Sequence, residues 1–335
     1  MPMDTANWPV YGHDWAVQHL RKALHNGRVR HAYLIVGTAG IGRLTLARAF
    51  AMTLNCTHAD ESQRPCGQCR SCKLIAGGSH ADVIYAETDA STGTLRIEEV
   101  RSVMSKLALK PYEARYRIAI FPDFERARPQ AQDALLKTLE EPPPHALLLL
   151  IASSTEALLP TITSRSQTLH LRPVAAETIR EVLITHKGAD PQQADLLAGL
   201  SGGRLGWAIQ ALEDPAHLEQ RAAALSLLDD LLRQNRHKRF ELAEDLSKEK
   251  LKLLPLLELW QTYWRDVVLL STGAAIPPAN RDRHEALEQL AAQLDEGEAL
   301  HALQATRDTL AKLNTNLNVR LALEVLFLDY PGLVR

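Results

Sequence analysis

Every cysteine in the chain lies in one short segment, as Cys56, Cys66, Cys69 and Cys72 in a Cys-x9-Cys-x2-Cys-x2-Cys pattern. Four thiolates at such spacing suit tetrahedral Zn²⁺, and a full set of four leaves no coordination position for water, so the predicted site is structural. Pro65, Gly67 and the Gly77-Gly78 pair supply the turns a small metal module needs. His58 and His80 stand close by and either could substitute for a ligand, but because the cysteines already fill the shell, both are expected on the surface. The same residues admit two other readings. They are ordinary small apolar side chains, or they include a reactive Cys-x2-Cys pair, which must then be free of metal.

A second chemical group is Gly37-Thr38-Ala39-Gly40-Ile41-Gly42-Arg43-Leu44-Thr45, set between the apolar run Ala32 to Val36 and the helical run Leu46 to Leu54. Strand, glycine-rich turn and helix N-terminus make a phosphate loop, where backbone N–H groups and the helix dipole hold an anion. Its candidate nucleotide-binding residues are Gly37, Gly40, Gly42 and Arg43. Two positions break the chemistry. Arg43 stands where a compact ammonium should meet the β and γ phosphates, and a planar guanidinium is no simple substitute. Leu44 stands where a Ser or Thr hydroxyl should ligate Mg²⁺, and Thr45, one residue late, points about 100° away on a helix. The acids are depleted too. Arg117 to Phe121 leads into Pro122-Asp123-Phe124, which puts Pro122 at the metal-binding position and leaves Asp123 as the single acid. With ligands missing at both motifs, phosphoryl transfer by this chain is not expected. Passive nucleotide binding through Gly40, Gly42 and the helix N-terminus stays open, as does a purely structural use of the glycines.

A third candidate is Arg165 in Thr161-Ile162-Thr163-Ser164-Arg165-Ser166. An arginine on a loop at the end of a sheet is either a surface charge or a finger donated to another subunit's γ-phosphate. The residues alone favour the surface charge.

Positioning these groups requires a parallel sheet. Short β-rich runs at Ala32 to Val36, Asp82 to Tyr85, Arg117 to Phe121, Leu147 to Ala152 and Thr168 to Leu171 alternate with helical stretches, the pattern of a doubly wound core. Pro129 to Glu141 reads as one helix, opened by Pro129 and stopped by Pro142-Pro143-Pro144. After Pro173 the strand signal ends; three short helices, separated at Gly188 to Pro191 and at Ser201-Gly202-Gly203, make a small lid. Beyond Glu213-Asp214-Pro215 the chain is helical, with one evident break at Gly273 to Asn280. The expected domains are 1–172, an α/β core carrying the cysteine module 56–72; 173–212, the lid; and 213–335, an all-α region. Trp260 and Trp264, one turn apart, are expected in its core, and Arg96, Arg101 and Lys106 read as solvated charges.

At 335 residues, 46% hydrophobic and 23% charged, the chain is long enough for two or three cores. Its start carries no basic-then-apolar leader, and its longest apolar run, Ala146 to Ala152, is far short of a membrane span; both point to a cytoplasmic protein. A formal charge of −2 excludes a strongly basic body that grips DNA by itself, so contact with DNA is expected to be shared with partners.

The run Asp133-Ala134-Leu135-Leu136-Lys137-Thr138-Leu139-Glu140-Glu141-Pro142-Pro143, the run Thr161 to Ser166 and the four-cysteine insertion together resemble the bacterial DNA polymerase III clamp-loader family, an AAA+ group. Gly27 to Leu34, Asn314-Thr315-Asn316-Leu317 and Leu321-Ala322-Leu323-Glu324 are similar to the same family, while 216–300 matches only in helical character. Within it the chain looks like the delta-prime branch, whose nucleotide motifs are often decayed. Gly206 sits where an ATPase member carries its lid arginine, and Ser164-Arg165-Ser166 replaces the usual Ser-Arg-Cys. The resemblance implies a RecA-like AAA+ core with a zinc module, a helical lid and a helical collar that oligomerises with gamma/tau and delta subunits in a hetero-pentamer. It also implies that Arg165 is a finger in trans, and that the assembly opens a sliding clamp and places it on primed DNA. Three rival readings are a gamma/tau-like ATPase, a standalone zinc-dependent nucleic-acid-binding protein and a thiol oxidoreductase.

Overall fold

The computed structural model describes residues 7–90, 93–313 and 318–333. The Asn314-Thr315-Asn316-Leu317 motif and the start of the chain lie outside the described residues. Two compact units form, residues 1–178 and 179–335.

The first unit is a layered α/β core. In chain order its elements are α1 (Asp14–His25), β1 (Ala32–Val36), α2 (Arg43–Asn55), α3 (Arg70–Ala76), β2 (Val83–Tyr85), α4 (Ile97–Leu107), β3 (Arg117–Phe121), α5 (Pro129–Asp133), α6 (Leu136–Glu140), β4 (Ala146–Ala152), α7 (Pro160–Arg165) and β5 (Gln167–His170). Among the described residues the strands form one sheet in the order β2-β3-β4-β1-β5, every neighbouring pair parallel. This is the predicted AAA+-like architecture, with each strand within one residue of its predicted limits. The apolar runs are continuous because both faces are covered. Tyr33, Ile35, Ile118, Ile120, Leu147 and Leu149 pack on one face with α1 and α2; Leu34, Val36, Ala119, Phe121, Leu148 and Leu150 pack on the other with α4 to α7. The phosphate loop leaves the C-terminal end of β1, between β4 and β5, the end at which doubly wound folds bind ligands.

The expected single helix from Pro129 to Glu141 is divided. The Leu135 N–H bonds the Gln132 carbonyl, three residues back, and the tighter turn separates α5 from α6. Ala131, Leu135 and Leu139 all remain buried. Gln132 explains the break, because its amide donates to the Ala127 and Ala157 carbonyls and its oxygen accepts from Leu159 N–H, fastening the bend to the start of α7.

A buried carboxylate shapes the turn into β3. Asp82 accepts backbone N–H bonds from Tyr112, Glu113 and Ala114 at 2.7–2.9 Å and is paired with Arg117 at 3.1 Å. Burial pushes its pKa up, but these donors outweigh burial and hold the carboxyl below the usual range.

Helix α8 (Ala176–Lys187) carries the boundary between the units. The second unit is helical throughout its described residues, with α9 (Pro191–Leu200), α10 (Leu205–Glu213), α11 (Ala216–Arg233), α12 (Arg236–Lys248), α13 (Lys250–Ser271), α14 (His284–Gln293), α15 (Glu296–Leu313) and α16 (Val319–Asp329). The expected break at 273–280 separates α13 from α14. Trp260 and Trp264 are fully buried, their rings 6.0 Å from Phe327 and 5.3 Å from Tyr330 respectively, as expected of core residues. Arg239, itself buried, donates to the carbonyls of Leu232, Phe327, Tyr330 and Pro331, which caps the C-terminal end of α16. No helix among the described residues is long and apolar enough to cross a membrane.

Candidate functional site: an altered phosphate loop, a cysteine cluster and an exposed arginine

The loop from Gly37 to Gly42 turns the chain from β1 into α2. Gly40 and Gly42 take positive φ angles of 77° and 109°, a region that favours glycine. Gly37 faces the end of β5, where an added Cβ would lie 3.1 Å from the Leu171 carbonyl. The buried His13 donates from Nε2 to the Ile41 carbonyl at 2.9 Å and pins the crest of the loop. Leu44 packs against the core on the α1 and α2 side, and Thr45 is exposed, so neither reaches into the loop as a metal ligand.

Arg43, the first residue of α2, is only 8% exposed, and its guanidinium lies between two acids. Nη2 is 3.6 Å from Asp123 Oδ1, and Nη1 is 4.0 Å from Glu125 Oε1. Both acids follow β3. Asp123 adopts φ 50°, an uncommon left-handed conformation for a non-glycine residue. Glu125 is 9% exposed and its Oε1 accepts the Ser153 N–H at 3.0 Å, beyond the end of β4. Arg43 thus reaches the two acids that follow β3 at ion-pair distance, and Glu125 in turn bonds beyond the end of β4, while Arg43 Nη1 and Glu125 Oε2 have no hydrogen-bond partner among the described residues. Glu125 was missed by the sequence reading, which counted a single acid after β3. The signal was present in Asp123-Phe124-Glu125, since a short 3-10 turn over Phe124–Arg126 carries the second carboxylate back towards the loop.

The four cysteines converge as expected. Their Sγ atoms all lie within 4.8 Å of one another, and Cys56 and Cys69 are 4.0 Å apart. A tetrahedron with metal–sulfur bonds of about 2.3 Å needs sulfur–sulfur edges of about 3.8 Å, so the donor set fits one ion after a small contraction. Backbone N–H groups already point at the sulfurs: Cys69 N–H to Cys66 at 3.3 Å, Cys72 N–H to Cys69 at 3.4 Å, and His58 and Cys66 N–H to Cys56 at 3.5 Å. At Cys69, the N-cap of α3, burial opposes ionisation but is outweighed by hydrogen bonds from Thr57 and Cys72, which bring the thiol down to about 6. Burial pushes the Cys56 and Cys72 thiols up, outweighing the backbone N–H groups that favour their thiolates. A divalent cation held by the four sulfurs would supply the charge that stabilises those thiolates.

His58 is exposed, as expected. His80 is not; it is 3% exposed, with Nδ1 accepting the Asp82 N–H at 3.0 Å and Nε2 lying 3.2 Å from the Ser71 hydroxyl. Its position between α3 and β2 makes it a packing element beneath the module, a tertiary role that its proximity to the cysteines in sequence could not reveal.

Arg165 also departs from its expected setting. It ends the short helix α7 instead of lying on a loop, 37% exposed, with Nη2 3.0 Å from Glu140 Oε1 and Nη1 donating to the Thr161 carbonyl at 3.3 Å. Arg101 and Lys106 are exposed, and Arg96 is exposed beside Asp89.

The family model and the sequence relatives point to one family. Residues 12–175 match the family described as DNA polymerase III, delta subunit. The tau/gamma subunit of Haemophilus influenzae is 35% identical over 174 residues, 52% of this chain and 25% of that protein. The Escherichia coli tau subunit is 34% identical over 201 residues, 58% of this chain and 31% of that protein. The Bacillus subtilis delta-prime subunit is 28% identical over 313 residues, covering 92% of this chain and 93% of that protein. This chain thus spans about a quarter to a third of the two tau-type relatives and nearly all of the delta-prime one. Among solved structures, a Thermotoga maritima DNA polymerase III gamma-subunit-related protein is a distant likeness, with a TM-score of 0.38 at 16% identity over 92% of this chain and 97% of that one. With the family match centred on the unit that holds both the phosphate loop and the cysteine cluster, the chain belongs to the clamp-loader family of DNA polymerase III subunits.

Proposed function

We propose that this chain is a delta-prime-type subunit: it hydrolyses no ATP and places Arg165 at the ATP site of a neighbouring gamma/tau subunit. The partners are gamma/tau and delta in a cytoplasmic hetero-pentamer that opens a sliding clamp and sets it on primed DNA. The lid, 173–212, and the collar, 213–335, transmit the nucleotide state and hold the ring of subunits. The cysteine cluster holds one structural Zn²⁺.

The observation that carries this reading is the Arg43 guanidinium set between Asp123 and Glu125. An active site of this class needs Lys, a hydroxyl ligand and Mg²⁺ there. Arg43 instead supplies fixed positive charge from within the chain, and Leu44 turns the hydroxyl position into packing. Near end-to-end alignment with a delta-prime relative supports the same reading.

The gamma/tau-like motor has one argument in its favour: tau-type relatives are 34–35% identical over 174–201 residues, against 28% over 313 residues for the delta-prime relative. Turnover decides between them. A reconstituted loader containing this chain should hydrolyse ATP, and the same loader with Arg165→Ala should lose about 10³-fold in kcat, as removal of an arginine finger does. Undiminished turnover in that variant rejects the finger, and turnover by the purified chain alone makes it a motor.

A further inference from the structure

Glu140 and Arg165 come from different helices, and the fold fixes both. Leu139, next to Glu140 on α6, is 3% exposed, and Ile162, one turn before Arg165 on α7, is fully buried in the same core cluster. Each charged residue is thus anchored at its backbone by a neighbour sunk in the core, while the charges themselves stay at the surface, 54% and 37% exposed. The carboxylate meets Nη2 at 3.0 Å and the α7 carbonyl of Thr161 meets Nη1 at 3.3 Å. Both terminal nitrogens of the guanidinium are engaged from the chain's own side.

We infer that Glu140 is a positioning residue for Arg165: it holds the guanidinium in one orientation before a neighbouring subunit's phosphate arrives. The inference rests on the finger reading above. A free arginine spreads over many rotamers, and ordering it at the moment of reaction opposes catalysis. An exposed pair such as this one is weak and screened by water. A charge-assisted contact with a phosphate in a drier interface is stronger, so the carboxylate orders the arginine without keeping it from its target. A buried pair in its place would lock the arginine away.

The test is a mutant cycle in the reconstituted loader: wild type, Glu140→Gln, Arg165→Ala and the double variant, with kcat and KM for ATP measured at low and high ionic strength. Glu140→Gln should lower kcat by about two- to fivefold, the scale of one surface ion pair, with KM unchanged. The effect should shrink at high salt, where the pair is screened. In the Arg165→Ala background it should vanish, because Glu140 has then nothing to position. Co-elution of the subunits and an unchanged melting curve exclude misfolding as the cause. If Arg165→Ala is damaging but Glu140→Gln matches wild type, or lowers kcat equally in both backgrounds, Glu140 has no positioning role and the finger stands. If Arg165→Ala is silent, the finger reading falls and this inference with it.

Discussion

Arg43 is one of the residues that set this phosphate loop apart, beside Leu44 and Pro122. Arg43 differs from the expected lysine by a larger, planar, permanently charged head, and that head is long enough to reach acids beyond the next strand of the sheet. Removing it leaves Glu125 buried with one hydrogen bond and no cation. Arg43→Ala is therefore expected to lower unfolding stability by about 1–3 kcal/mol in urea titrations. Arg43→Lys should not confer ATP turnover, because Leu44 and Pro122 remain. Asp82 is the second residue whose charge the fold depends on. Its carboxyl is held below the usual range, so its stabilising contribution is complete above the unfolded value near 3.9 and is lost as pH falls through the lower folded value. Melting temperature should fall on acidification below about pH 4, and Asp82→Asn, destabilised by about 2–4 kcal/mol at pH 7, should show a smaller drop over the same interval. Equal acid sensitivity in the two proteins contradicts this account.

At the scale of elements, the sequence was most legible where one signal dominated. The five strands are apolar runs bounded by polar turns, and they form where predicted because a strand buried on both faces has no solvent side to blur the pattern. The cysteine module was equally plain, since its ligands lie close together in sequence and leave little to the rest of the chain. It should bind one equivalent of zinc; Cys69→Ser should abolish retention of the metal and lower the melting temperature, and an unchanged melting curve contradicts a structural site. The helix from Pro129 to Glu141 was misread because its helical periodicity is sound. The break arises from the Gln132 amide bonding to residues 127, 157 and 159, contacts that no local window contains.

At the scale of the whole molecule, an overall charge near neutrality and the pairing of Arg43 with Asp123 and Glu125 support the proposal of a subunit that acts within an assembly. The isolated chain should show no ATP hydrolysis above background, and its DNA affinity should remain in the nonspecific range, with Kd about 10⁻⁴–10⁻⁶ M or weaker at physiological salt. Tight DNA binding by the chain alone would return the nucleic-acid-binding reading to first place. The sequence by itself determined the parallel α/β core, the helical remainder, the metal-binding cluster and the missing ligands of the phosphate loop, because each is written in residues adjacent along the chain or in a period of two or 3.6. Only the tertiary structure decided that Arg43 is paired with Asp123 and Glu125, that Glu140 meets Arg165, and that His80 is buried against Ser71 and Asp82. Those outcomes depend on which strand ends and helix ends meet in space, and electrostatic pairing acts over a few ångströms of space whatever the separation along the chain.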